Sequence, residues 1–381
     1  MTAAVASAGA VATALAFALP ANAGQTSNRH DQHILTVRQI AFGENLRHAF
    51  QPGGTGDAIP EPLTGPDDLT ALGAHLYVGF QNGVGSQGEP SGSGNLDSTV
   101  AEFTLSGKEI AQWDVQGKVD GLTADPFLGK VIATVNEDGN SSLYTISPRG
   151  PVTHYSYNAP LPHNGGTDAI SIFHRQILIS ASAPGGTGAP APQPSYPAVY
   201  LVTLQPETKV ATVRPLFSDE ATATAVNGPN AGTDVTLGLT DPDSSEVVPF
   251  GSPAFGGDFM LNSQGDQELI FDHAKGPKQS LSVLSLPMSV DDTAWATRAF
   301  GALYTTDSSA DTLDIVYGKL GARQVYTAVT PCNANSAPAD CPAPGFPANY
   351  LGTVNLTTGA LTPVPLTGSA LQPKGLIFVP F

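Results

Sequence analysis

Apolar residues come in short runs along this chain, alternating with polar ones or grouped as β-branched stretches, and Gly, Pro, Asn and Asp punctuate them. Few windows repeat with helical periodicity. The runs recur in an ordered way. One type of segment starts on an acidic or small residue, runs apolar, turns and runs apolar again. Asp67-Asp68-Leu69-Thr70 leads into residues 75–82, Asp120-Gly121-Leu122-Thr123 into 130–137, and Thr167-Asp168-Ala169-Ile170 into 176–182. Asp243-Ser244-Ser245-Glu246-Val247 leads into 258–264, Asp291-Asp292-Thr293-Ala294-Trp295 into 302–309, and a sixth segment from Lys374 ends the chain. A second type follows most of these. It is a hairpin, clearest at 101–115 and repeated from Ser142, Val199 and Tyr350. In the fourth copy both 268–274 and 281–287 fit the hairpin strands.

Two strands plus a hairpin make a four-stranded antiparallel unit. The unit starts are spaced 52, 48, 75, 49 and 82 residues apart, and the short spacings match a propeller blade. The long spacings hold Pro/Gly/Ala-rich loops such as 184–197 and 330–347. The pattern predicts an all-β chain folded as a six-bladed β-propeller over residues 33–381, in one domain. The amino-terminal run 33–42 then completes the blade begun by 374–381 and closes the ring. Five or seven blades also fit, because 44–66 and 305–330 are hard to place, and a pair of two-sheet sandwiches is the rival fold.

Composition adds the compartment. Residues 1–23 carry no charge; an apolar stretch, Pro20 and then Ala21-Asn22-Ala23 have the layout of a secretory signal cleaved after Ala23. No Lys or Arg precedes the apolar run. The mature chain is expected outside the cell, with 24–32 a flexible lead. Cys332 and Cys341 are the only cysteines, and in an oxidising compartment they are expected to close a small loop as a disulfide. Lys and Arg number 16 against 33 Asp and Glu, a net charge of −17. That balance excludes nucleic acid as a partner and gives no hold on an anionic membrane. No segment is long and apolar enough to be inserted in one, and a monomer is expected.

At the level of repeat layout the chain resembles secreted bacterial β-propellers of the NHL, YVTN and SMP-30/lactonase-like kind, and it is similar to a group of secreted actinobacterial proteins. The residues carrying the resemblance are the recurring starts, including Asp120-Gly121-Leu122-Thr123-Ala124-Asp125-Pro126, and phrases such as Gly301-Ala302-Leu303-Tyr304. The resemblance implies the fold and transfers no catalytic residue.

In a propeller the start of each innermost strand and the end of the next strand meet around the central channel. The first group is Asp68, Asp120, Asp168, Asp243 and Asp292, with Lys374 in sixth place. The second is Asn82, Asn136 with Glu137, Ser180 with Ser182, Asn262 and Asp307. Asp68, Asp120, Asp168 and Asn136 are candidate ligands for Ca²⁺ or another divalent cation, because hard oxygen donors suit such ions. A bound ion polarises a carbonyl or acidifies a water. Asn82, Asp243, Asn262, Asp292 and Lys374 complete a ligand-binding rim. Glu137, crowded by other carboxylates, and His163, in the loop just before Asp168, are candidate proton carriers. The same Asp and Asn residues also serve turns, where their side chains accept backbone N–H groups. No Gly-x-Ser-x-Gly elbow surrounds Ser263, so nothing in the motif content supports a serine triad. Two functions follow: a metal-assisted hydrolase or lyase of the lactonase-like type, or a non-catalytic extracellular binder that uses the same face or the long Pro/Gly loops to hold a small molecule, sugar, peptide or partner protein.

Overall fold

The computed structural model describes residues 34–51, 57–185, 195–273, 279–331 and 349–381. The expected signal segment 1–23, the lead 24–32 and both cysteines of the expected disulfide lie outside the described residues. Among them there is no α-helix, only strands and two short 3₁₀ turns, and no helix is long and apolar enough to cross a membrane.

Among the described residues, strand pairing gives six antiparallel sets of four, with five further strands beside or outside them. The innermost strands of blades one to five are Pro66–Leu72, Val119–Asp125, Thr167–Phe173, Pro242–Val247 and Val290–Trp295. That of blade six is Leu376–Pro380. Each innermost strand contacts the next in cyclic order, and the sixth contacts the first. The chain is therefore a β-propeller around a central channel. Each blade buries one face on each neighbour, so the core is not one cluster but a hydrophobic cluster at each junction. Leu143, Ile132 and Tyr155 of blade two, for example, pack against Ile170 and Ile179 of blade three.

The ring closes as the repeat predicts. Leu35–Phe42 pairs with Thr312–Tyr317, which pairs with Gly301–Asp307, which pairs with the last strand. The fourth unit also uses both expected hairpin strands, Glu268–Asp272 and Leu281–Ser285. The fifth unit is a correction. The run 302–309 does not pair with the strand that precedes it in sequence. Gly301–Asp307 and Thr312–Tyr317 cross into blade six, and Val290–Trp295 pairs instead with Val325–Val329. The last two blades are interlaced, which ties the end of the chain into the ring.

Candidate functional site

Five of the six innermost strands begin with the same device. One extra residue is inserted where each enters its pairing, between Pro66 and Leu69, Val119 and Leu122, Thr167 and Ile170, Pro242 and Ser244, and Val290 and Thr293. A bulge bends the strand and re-aims a side chain. Here it holds Asp67, Asp120, Asp168, Asp243 and Asp291, all of which line the channel with Lys374 of blade six. The next position is crowded. A Cβ at Gly121 would lie 2.2 Å from the Asp168 carbonyl oxygen, so glycine lets two inner strands approach.

Hydroxyls of the second strands stitch the blades together behind this ring. Thr134 Oγ1 accepts from Gly121 N at 3.0 Å and donates to the Asp168 carbonyl of the next blade at 2.7 Å. Ser180 accepts from Ala169 N at 3.0 Å and donates to the Pro242 carbonyl at 3.1 Å. Thr306 links Gly375 N to the Asp67 carbonyl. In blade four Asn262 takes this place and donates to the Val290 and Asp291 carbonyls at 2.7 and 3.0 Å.

The channel has a volume of about 630 Å³ and is lined by nine carboxyl groups and Lys374. Two amides bridge neighbouring acids: Gln81 donates to Asp67 at 2.8 Å and Asp120 at 3.1 Å, and Gln264 to Asp291 at 2.9 Å and Asp243 at 3.3 Å. Lys374 pairs with Asp67. Lys118 pairs with Asp120 at 3.1 Å and with Glu137. Burial works against both ammonium charges, but the surrounding acids outweigh it and hold both lysines above their usual range.

Asp168 is the exception in the ring. It is 7% exposed and lines the channel, and its carboxyl has no hydrogen-bond or ion-pair partner among the described residues. Burial raises its pKa well above the ordinary value, and Asp243, Asp120, Glu137 and Asp241 raise it further. Burial also raises Asp243, reinforced by Asp291, and Asp291 itself to about 6.

A second tier sits one residue further along the strands. Asp68 accepts from Leu69 N and, across the blade junction, Leu122 N, both at 2.6 Å. Asp292 does the same with Thr293 N at 2.7 Å and Leu376 N at 2.6 Å. These two carboxyls join inner strands. Burial raises Asp292 to about 7 despite the two amides. Asp68 and Glu246 are also raised, by burial first and then by Asp292. Beyond the acids the lining turns apolar, with Leu122, Ile170, Val247, Trp295 and Phe378.

The structure thus sorts the candidates from sequence. Asp120, Asp168, Asp243, Lys374 and Glu137 line the channel together. Asp68 and Asp292 line it too, with their oxygens committed to backbone. Three amide side chains are turned away. Asn136 accepts from Lys118 N at 2.9 Å and donates to the Asn140 carbonyl at 3.0 Å, which closes a turn. Asn82 spans the Thr64 amide, Thr99 and the Asp97 carbonyl, and Asn262 is the blade tie above. His163 lies in a 3₁₀ turn, bonds the Ala183 carbonyl at 2.8 Å and meets Tyr196 edge-on at 4.6 Å; it is exposed and does not line the channel. Among the described residues no three His, Cys, Asp or Glu side chains are already gathered closely enough to hold a metal ion.

One further constellation escapes sequence reading because its members sit around three different strands of blade four. His273 Nδ1 lies 2.6 Å from Asp258 Oδ2 and its Nε2 2.8 Å from Ser282 Oγ. The connectivity is that of a nucleophile relay. Phe255 lies over the imidazole at 6.0 Å and stacks on Phe271 at 3.8 Å, so the group ties strand ends beneath an aromatic cap.

No protein-family model and no curated protein matches the chain. Among solved structures it is similar to a putative 6-phosphogluconolactonase from Bacteroides fragilis, at 12% identity and TM-score 0.45 over 93% of this chain and 99% of that one. It is similar to the β-propeller domain of Cps50 (Swd1) from Myceliophteria thermophila, at 12% identity and TM-score 0.42 over 82% and 76%. A protein of unknown function from Bacteroides caccae matches at 9% identity and TM-score 0.45 over 90% and 98%. Likeness this distant says nothing of chemistry, and the fold rests on the strand ring itself.

Proposed function

We propose that the central channel is a receptor site for a small cationic ligand, with Asp168 as the open coordination point between Glu137 and Asp243. The observation that carries this reading is the unpartnered, buried Asp168 carboxyl in a ring whose other acids are bridged by Gln81, Gln264, Lys118 or Lys374. A cation arriving there relieves repulsion among carboxyls that now hold their protons too tightly. The apolar lining beyond the ring suits an organic ammonium with a hydrophobic body. A divalent cation such as Ca²⁺ fits the donor type, and Asp120, Glu137, Asp168 and Asp243 are the residues that would hold it. With no preformed three-ligand cluster among the described residues, such an ion requires the carboxyls to draw inward.

A hydrolytic reading rests on the same group. Asp168, with a raised pKa and a free oxygen facing the channel, suits proton transfer to or from water, and a bound ion would polarise a lactone or ester carbonyl. The proposed setting is extracellular.

The test is thermal melting in EDTA and then with Ca²⁺, Mg²⁺, putrescine or benzylamine. A ligand that binds only the folded chain raises its melting temperature. The expected result is a rise with at least one of these cations that Asp168→Asn removes. No rise with any of them removes the cation-receptor reading, and a lactone and ester screen on the responsive state decides on hydrolysis.

A further inference from the structure

A second cavity, of about 540 Å³, opens on blade two beside the hairpin Ser142–Ile146 and Val152–Tyr157. Its register explains its chemistry. Ser142 is paired with Ser156 and Tyr144 with His154, so side-chain alternation puts all four on one face of the hairpin. The intervening residues, Leu143 and Tyr155, face the core and are 0% and 2% exposed. The cavity lining contains no Asp, Glu, Lys or Arg, in a chain of net charge −17.

Its polar groups are largely unspent. The hydroxyls of Ser142 and Ser156, the amide of Asn140 and both ring nitrogens of His154 have no hydrogen-bond partner among the described residues. Asn158 uses its oxygen to accept from Val213 N at 2.8 Å, which leaves its NH₂ group to donate. His154 lies flat against Tyr144, centroids 4.6 Å apart and planes 20° from parallel, with the imidazole exposed. Partial desolvation of the ring, and then Lys209, lower the His154 pKa from its ordinary value, so the platform is neutral at pH 7.

From this face we infer that the blade-two cavity binds a neutral saccharide. The electron-rich face of a ring accepts the C–H face of a pyranose. The serines and amides around it offer both donors and acceptors to ring hydroxyls. The lining itself offers fixed anions and cations no countercharge, and an apolar ligand would strand the serines and amides. The cavity is within the usual range for small-molecule sites.

Isothermal titration of the whole chain with maltotriose, cellotriose and N,N′,N″-triacetylchitotriose tests the inference. One of the three is expected to bind with a dissociation constant below about 1 mM. Binding should weaken at least about tenfold in His154→Ala and by roughly fivefold in the Ser142→Ala, Ser156→Ala double variant. His154 is exposed, and an unchanged melting temperature confirms that its variant folds. Asp168→Asn and added salt should leave the affinity unchanged, because neither touches a neutral site. No heat from any of the three sugars overturns the inference. So does binding that survives His154→Ala. Binding abolished by Asp168→Asn assigns the sugar to the channel instead.

Discussion

The central channel and the blade-two cavity are of similar size, about 630 and 540 Å³, yet one is lined by nine carboxyls and the other by none. Both are built from strand ends and hairpin faces of one repeated unit. The difference comes from the backbone. In the channel a bulge at each strand start takes an aspartate out of the alternating pattern and aims it at the axis, where five copies converge. On the outer hairpin the alternation is uninterrupted, so the exposed face is only what Ser142, Tyr144, His154 and Ser156 make it. Convergence makes the channel carboxyls raise one another on top of burial, whereas on the outer hairpin His154 is lowered and Tyr144 raised chiefly by burial.

The largest expected effect of that difference is on stability against pH. A carboxyl that binds its proton more tightly in the folded chain stabilises the fold most below its unfolded value, about pH 4, and loses that contribution as pH climbs through its folded value. Asp291 and Asp292, raised to about 6 and about 7, set the window from roughly pH 4 to 7. Asp68, Asp168 and Asp243 are raised in the same direction. Denaturation of the EDTA-treated chain should therefore show it less stable at pH 8 than at pH 5, by on the order of 3 kcal/mol. Equal stability at the two pH values would mean that channel water already solvates the ring. Next in size is Lys374→Met. It leaves Asp67, Asp243 and Asp291 without their common cation and should cost about 2 kcal/mol in urea unfolding at pH 8. The cost is smaller than for a sealed ion pair because the Lys374 side chain is 34% exposed.

Much of the channel was legible in the sequence, because an innermost strand that begins with aspartate in five of six repeats is a pattern no single turn explains. The differences are local. Alternation cannot reveal a bulge, and a one-residue slip exchanges channel-facing for backbone-facing side chains. Asp68 and Asp292 were expected at the positions that Asp67 and Asp291 hold, and Asn82 was expected where the neighbouring Gln81 bonds the channel acids Asp67 and Asp120. Asn136 and Asn262 resembled ligands because ties between strands use the same residue types. The interlaced last blades were misread because sequence neighbours usually pair, and the strand 301–307 instead pairs with the end of the chain. The relay of Asp258, His273 and Ser282 has no spacing signature, since strand pairing alone assembles it. The blade-two face was visible as a hairpin, but its neutrality acquires meaning only beside an acidic channel.

A sharper form of the comparison moves charge between the regions. Asp168→Asn removes a carboxyl whose charged form meets only other acids, so it should raise stability at pH 8 by about 1 kcal/mol. The gain should fade toward about pH 3, where the parent carboxyl is protonated in the folded and the unfolded chain alike. A destabilised Asp168→Asn at pH 8 would show that the carboxylate has a favourable partner. The converse change has the smallest effect. Ser156 is exposed on the outer hairpin, so Ser156→Asp places the same functional group where water solvates it. Its stability should stay within about 0.5 kcal/mol of the parent from pH 5 to 8. In a two-dimensional NMR titration the introduced carboxyl should titrate near the ordinary aspartate value of about 4. If that carboxyl instead titrates with the ring acids, net charge of the whole chain dominates over local burial, and the contrast between channel and cavity loses its physical basis.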